Sequence, residues 1–331
     1  MKYIAIEAKD LVKHFPIKLG LLKSIFAKEG PVVHAVDGVS FRIPTGEVLG
    51  LVGESGCGKT TTGRLLVRLL EPTEGQVIFK GTDVMSLSPK EMRKLRRNIQ
   101  IIFQDPYESL DPRMSIYDIL AEPLRIQKIV ENEREVSEKV AKALEEFDLV
   151  PPEEYMYRFA HELSGGQRQR VSIARAFILR PEFIVADEPV SMLDASIRSE
   201  VLKLLLASQK KLRTSFLYIT HDVALARHMC DQIAVMYLGK IVEKGLTEEV
   251  IHKPLHPYTE ALIAAVPVPD PTARRIRVTL KGEVPSAINP PPGCRFNTRC
   301  PHAMEICRKK EPPLIEISNN RSVACHLHTK K

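Results

Sequence analysis

The stretch that decides the fold is EVLGLVGESGCGKTTTGRLL, residues 47–66. An apolar run ends in glycine, and a helix-forming run begins at Lys59. Between them GESGCGKT, Gly53–Thr60, follows the pattern G-x-x-x-x-G-K-[ST] in the strand-to-helix setting which that pattern requires. Glycines let successive backbone N–H groups turn toward one anion, and the N-terminus of the following helix adds a favourable dipole. Gly53, Glu54, Ser55, Gly56, Cys57, Gly58, Lys59, Thr60 and Thr61 are therefore predicted to cradle the phosphates of a nucleoside triphosphate. Lys59 is expected to reach the β- and γ-phosphates, and the Thr60 hydroxyl to ligate Mg2+. Cys57, beside a lysine and a helix N-terminus, is expected to ionise more easily than an ordinary thiol, so that its alkylation would block the nucleotide.

Working outward, YIAIEAKDLVKHF and HAVDGVSFRIPTGEVLG read as strands joined by turns, and GQVIFKGTDV as a strand with a turn at Gly81. Residues 115–180 carry helical periodicity, broken by the prolines at 151–152. EFIVADE, the helix ASIRSEVLKLLLASQKKL, the strand TSFLYIT, the helix DVALARHMC and one strand QIAVMYLGKIVEKG follow. Strands alternating with helices mean an α/β protein with a largely parallel sheet, here interrupted by an inserted helical block. PIKLGLLKSIFAKEG (16–30) reads as a hairpin insertion or short helix packed on its own domain. Proline density rises from Pro254 and marks a change of architecture.

The chain has 331 residues, 44% of them apolar, which is enough for a large domain and a smaller one. No apolar run is long enough to span a bilayer, and the start lacks the pattern of a secretory signal, so the chain is expected in the cytoplasm. The net charge of +7 fits nucleic acid, an anionic bilayer surface or an anionic small ligand, and by itself decides nothing.

FIVADE (183–188) is an apolar strand that ends in two carboxylates. Asp187 can hold the Mg2+ hydration shell, and Glu188 can polarise an attacking water. LSGGQRQRVSIARA (163–176) resembles the signature of the ATP-binding-cassette (ABC) ATPases. Other segments are similar to the rest of that family's set, in family order over residues 3–255. Gln104 in IIFQDP looks like the glutamine that senses Mg2+ and couples to membrane subunits. Asp194 in SMLD looks like the end of the D-loop, with Met192 where alanine is common. His221 in YITHD resembles the switch histidine at the γ-phosphate. Phe15 stands where an aromatic stacks on adenine, with Phe41 as the alternative, although a core strand suits Phe41 better. The resemblance implies a P-loop NTPase core with a parallel sheet, an antiparallel β subdomain, a helical subdomain inserted at about 106–180 and a small irregular C-terminal extension. The expected division is 1–255 for the nucleotide-binding domain and 256–331 for the extension. It also implies that ATP lies between Gly53–Thr60 of one subunit and Ser164, Gly165, Gly166 and Gln167 of another. Lys59, Gln104, Glu188 and His221 are then the catalytic set, and Thr60, Gln104 and Asp187 hold Mg2+.

Cys294, Cys300, Cys307 and Cys325 fall in one short stretch with irregular spacing. They lack the close cysteine pairs of structural zinc sites, and disulfides suit a reducing compartment poorly. A [4Fe–4S] cluster, zinc, unligated thiols and disulfides all remain open from spacing. LHPYTEALIAAVP with NPPPGCRFNTRCPHAMEIC is similar to the C-terminal extension of the oligopeptide/dipeptide branch of ABC importers. That resemblance implies a structural [4Fe–4S] cluster on these four cysteines, with zinc as runner-up. Asn297 replaces a histidine common between the first two cysteines. Arg295 and Arg299 would balance the cluster's charge or be solvated, and Cys230 is expected to be a core thiol.

The resemblance implies the ATPase subunit of a di- or oligopeptide importer, the second of two different ATPases. It would work as a heterodimer with a homologous subunit, on two membrane permease subunits and an extracytoplasmic binding protein, at the cytoplasmic face of the membrane. Tyr107, Leu110 and Met114 are expected at the permease contact or in subdomain packing. No direct contact with nucleic acid is expected. The alternatives are a soluble ABC ATPase acting on ribosomes or nucleic acid, and a sugar or metal-ion importer subunit.

Overall fold

The computed structural model describes residues 3–17, 30–266, 280, 282–318 and 320–329. The segment from 18 to 29, and with it most of the expected insertion, lies outside the described residues.

In chain order the first half comprises β1 (Ile4–Pro16), β2 (Val32–Pro44), β3 (Val48–Val52), α1 (Lys59–Leu66), β4 (Glu74–Phe79), β5 (Thr82–Asp83), α2 (Pro89–Leu95), β6 (Ile99–Ile102), α3 (Ile116–Ile126) and α4 (Glu133–Glu146). Then come α5 (Pro152–Met156), α6 (Gly165–Phe177), β7 (Phe183–Asp187), α7 (Ala195–Leu212), β8 (Ser215–Thr220), α8 (Val223–Met229), β9 (Gln232–Tyr237), β10 (Lys240–Leu246), α9 (Thr247–His252), α10 (Pro257–Ala264), α11 (Glu305–Lys309), β11 (Ile315–Ser318) and β12 (Arg321–Val323).

Local chemistry sets these bounds. In α4 the Asn132 side chain accepts from the Glu135 N–H, and Val136, Val140, Ala143 and Leu144 form the buried stripe of a 3.6-residue period. Pro152 opens α5 at its first position, where a missing N–H does no harm. The helix α7 ends at Arg213 in a left-handed conformation, φ 53°. The segment expected as one strand, 232–245, is instead the hairpin β9–β10. Leu238 and Gly239 have φ of 41° and 82°, the paired positive values of a tight hairpin turn.

The chain divides into two compact units. The first contains the described residues of 1–6, 43–47 and 79–218. There β6 lies parallel to β7, with Ile99 opposite Phe183, and β8 lies on the other side of β7. Every residue of β7 is buried, as expected for a strand covered on both faces. The helices α3 to α6 form the block foreseen at 115–180, and Leu120, Leu124, Val140, Leu144 and Phe147 lie in its core.

The second unit contains the described residues of 7–42, 48–78 and 219–331. Its larger sheet runs β11-β12-β10-β9-β3, parallel between β3 and β9 and antiparallel from β9 to β11. A second sheet has the order β2-β1-β4. The C-terminal strands are thus hydrogen-bonded into the sheet that carries the phosphate loop. Glu243 of β10 is fully buried and is held there by the Arg321 guanidinium at 2.8 Å and by the backbone N–H groups of Leu255 and His256. A buried carboxylate is tolerated only with donors of this kind. Among the described residues no helix is long and apolar enough to cross a membrane.

Candidate nucleotide-binding site

The phosphate loop is built by close backbone approach. Gly58, at φ 107°, caps α1, and a Cβ there would lie 2.1 Å from the Ala35 carbonyl oxygen. A Cβ on Gly53 would lie 2.2 Å from the carbonyl oxygen of Met236. No side chain caps α1. The buried Lys59 ammonium donates to the carbonyls of Gly53 at 2.8 Å and Glu54 at 2.9 Å, so the lysine closes the loop on itself. Ser55 and Gly56 are exposed, and Thr60 and Thr61 half-buried. Glycines that nothing larger can replace, an uncapped helix N-terminus and a lysine turned into the loop fit a polyphosphate.

Cys57 departs from expectation. Its thiol is buried, and desolvation pushes its pKa up despite the opposing charge of Lys59. Burial wins because the thiol sits under the loop, against Gly53, rather than in its mouth.

Phe15, at the end of β1, is 36% exposed, whereas Phe41 is 4% exposed within β2. Phe15 is therefore the ring that has a free face, with the Lys13 ammonium 5.1 Å from its centroid. His221 is exposed and directly follows β8; the next residue, Asp222, caps α8 by accepting from the Ala224 and Leu225 N–H groups.

The other unit gathers Gln104, Asp187, Glu188 and the signature. Asp187 is buried at the end of β7, and Glu188 follows it half-buried with φ 43°. A left-handed glutamate is strained, as residues at reactive sites often are. The Gln104 amide donates to the Glu188 carboxylate at 3.3 Å. The Ser164 hydroxyl accepts from the Gln167 N–H at 3.3 Å, and the Gln167 side-chain oxygen accepts from the Ser164 N–H at 2.9 Å, a reciprocal capping box at the start of α6. Ser164 and Gly165 are exposed, while a Cβ on Gly166 would meet Ile197 at 2.7 Å. Of the three residues expected at a permease contact or in packing, Leu110 is buried, Met114 half-buried and Tyr107 54% exposed. The Arg168 guanidinium covers the Tyr107 ring at 4.6 Å.

The four clustered cysteines occupy one lobe of the second unit. Cys307 and Cys325 are buried, Cys294 and Cys300 half-buried, and all four are free thiols. Burial pushes the Cys294 pKa up to about 12, and the neighbouring Cys307, Cys325 and Cys300 add to it. Among the described residues only His14, His34 and Asp37 bring three potential ligand atoms within 4.8 Å of one another. That trio is an ion-pair hub rather than an inviting cation site, because the Asp37 carboxylate is also paired with Arg295. Cys230 is a core thiol, as expected.

Arg295 and Arg299 depart from the solvated reading. Neither is solvated, and each is committed to a carboxylate elsewhere in its unit: Arg295 to Asp37, and Arg299 to Glu54 through NH1 at 2.7 Å and NH2 at 3.1 Å. The Tyr258 hydroxyl accepts from the Glu54 N–H at 2.9 Å. These links join residues some 200 positions apart, and no local pattern announces them.

The comparisons agree with this geometry. Residues 36–191 match the family model described as ABC transporter, and residues 242–307 match the one described as oligopeptide/dipeptide transporter, C-terminal region. The chain is similar to the oligopeptide transport ATP-binding protein AppF of Bacillus subtilis (strain 168), at 47% identity over 98% of this chain and 97% of that protein. It is also similar to the putative oligopeptide transport ATP-binding protein YkfD of the same organism, at 50% identity over 89% and 90%. Among solved structures, the ATP-binding cassette MJ0796, a dimer in a post-hydrolysis state bound to ADP and Pi, matches with TM-score 0.64 and 27% identity over 73% of this chain and 98% of that one.

Proposed function

We propose, from the premise that this chain belongs to the ABC transporter ATPases and within them to relatives of the oligopeptide/dipeptide transport ATP-binding proteins, that it binds and hydrolyses ATP to power import of di- or oligopeptides through separate membrane subunits. The observation that carries this reading is the phosphate loop, with Lys59 folded onto the Gly53 and Glu54 carbonyls at the N-terminus of α1.

The residues divide the work. Lys59 and the loop N–H groups bind the β- and γ-phosphates, and Phe15 supplies the face for adenine. Thr60, Gln104 and Asp187 would hold Mg2+, which neutralises charge on the phosphates. Glu188 orients the attacking water and takes its proton; the Gln104 amide fixes one of its carboxylate oxygens. His221 contacts the γ-phosphate. Phosphoryl transfer needs positioning and charge stabilisation more than covalent chemistry, which suits this set. The start of α6, with Ser164 and Gly165 exposed, serves the ATP held by a second ATPase subunit. Binding thereby joins two chains, and hydrolysis releases them. A heterodimer with a homologous subunit, two permeases, an extracytoplasmic binding protein and a membrane-surface location at the cytoplasmic side complete the proposal, as does the division near residue 255.

The cysteine lobe is read as a [4Fe–4S] site. Cys307 and Cys325, buried, and Cys294 and Cys300, half-buried, supply the four thiolates that such a cluster takes. The test is iron content: anaerobically purified protein should carry about four irons per chain, and zinc without iron would refute the assignment.

Glu188→Gln tests the mechanism. ATP binding should persist while hydrolysis falls about 100-fold or more, the scale of a lost general base. Normal turnover would remove Glu188 from its role.

A further inference from the structure

Glu54 raises a problem for the phosphate loop. A carboxylate placed among the groups that must receive a triphosphate repels it. The structure places three restraints on this residue. Its carbonyl accepts from Lys59 at 2.9 Å, its N–H donates to the Tyr258 hydroxyl at 2.9 Å, and its carboxylate takes a two-pronged pair from Arg299 at 2.7 and 3.1 Å. Two of the three partners come from the C-terminal region.

Arg299 is itself tightly placed. Its side chain is only 9% exposed. Its backbone N–H donates to the Phe296 carbonyl, in the turn that also receives the Cys300 N–H. Its guanidinium lies 5.9 Å from the Tyr237 ring centroid, and Tyr237, Tyr258 and Phe296 pack mutually at 4.6 to 5.4 Å. An arginine fork on a carboxylate neutralises charge and fixes orientation at once.

We propose that Arg299, with Tyr258, is a positioning residue for ATP: the C-terminal lobe cancels the charge of Glu54 and holds its backbone, so that the phosphate loop accepts a triphosphate. The proposal rests on reading Gly53–Thr60 as the triphosphate cradle. Glu54 keeps its place because the paired carboxylate ties the loop to the lobe, and the lobe thereby sets the affinity of a site whose motif lies more than 200 residues upstream. The Arg299 guanidinium is committed to the Glu54 carboxylate and acts through it.

The test is a cycle of ATP dissociation constants on the full chain, followed with a fluorescent ATP analogue. Arg299→Met leaves an unpaired carboxylate in the loop and should weaken binding about tenfold, equivalent to ~1.4 kcal/mol. Adding Glu54→Gln to that variant removes the stranded charge and should recover affinity to within about threefold of the original chain. A purely structural loss would not be repaired by a second substitution. Unchanged affinity in Arg299→Met, or a double variant no better than the single, overturns the proposal. Should Arg299→Met fail to fold, Arg299→Lys decides: with the positive charge kept, affinity within about threefold of the original supports the charge argument, and any larger loss contradicts it. Lys59→Ala is the separate control, because a chain that still binds ATP without this lysine refutes the cradle itself, whatever Arg299 does.

Discussion

The chain contains two glycine-rich helix entrances that are built differently. The start of α1 has no side-chain cap, a left-handed glycine at φ 107° and a buried lysine turned into the loop. The start of α6 is already capped, with Ser164 and Gln167 exchanging hydrogen bonds across one turn. Orphan N–H groups at a helix start seek an anion or a side chain. The first entrance leaves that demand to a ligand, and the second meets part of it internally. On the proposed reading the difference sets an order of events: the phosphate loop would bind ATP on its own chain, and the signature would add a weaker, supplementary hold on ATP presented by another chain.

The largest expected effect is at the uncapped entrance. Gly58→Ala puts a methyl 2.1 Å from a carbonyl oxygen at a φ that alanine avoids. It should abolish measurable ATP binding or destabilise the fold by ~3 kcal/mol or more, as read by titration and by thermal melting. Binding and stability both unchanged would break the comparison. At the capped entrance Ser164→Ala should be milder. Loss of the cap should lower stability by ~1 kcal/mol. ATP affinity of the single chain should change less than about twofold, and ATP-driven pairing should weaken about tenfold, since one tenfold step is ~1.4 kcal/mol. Equal losses in binding and pairing would show that the two entrances are not separate.

A pH effect sharpens the role of the C-terminal region in holding the loop. The buried His256 imidazole accepts the Tyr258 N–H at 3.0 Å and so caps α10 while neutral. Burial lowers its pKa from 6.5 to about 3, and nearby His328 adds to this. The unfolded chain therefore binds this proton first as pH falls. Stability should drop between about pH 6.5 and pH 3, by at most ~1.4 kcal/mol per pH unit from this group. Denaturant midpoints at pH 7 and pH 5 should differ less in His256→Gln than in the original chain; an identical difference would remove His256 as the source.

Much of this was legible from the sequence. The loop Gly53–Thr60, the carboxylates of FIVADE and the block α3 to α6 follow from local spacing, because each is made by neighbours in the chain. Phe15 and Phe41 were separable by asking which one a core strand would bury. Cys57 reads as activated in the sequence because its charge neighbours are visible there while its burial against Gly53 is not. The β9–β10 hairpin reads as one strand because Leu238 hides a turn that only its glycine partner betrays. Arg295 and Arg299 read in the sequence as balancing the charge of the cysteines beside them or as solvated, since adjacency is the only guide there. Their real partners, Asp37 and Glu54, are set by tertiary packing.

The central claim is that ATP is held between the phosphate loop of one chain and the signature of another. The direct measurement is the sedimentation of the Glu188→Gln chain with the homologous ATPase subunit proposed as its partner, in ATP and in ADP. The account predicts a stable pair in ATP that falls apart in ADP. Chains that stay single in saturating ATP, while the unsubstituted protein turns over at full speed without pairing, would contradict it.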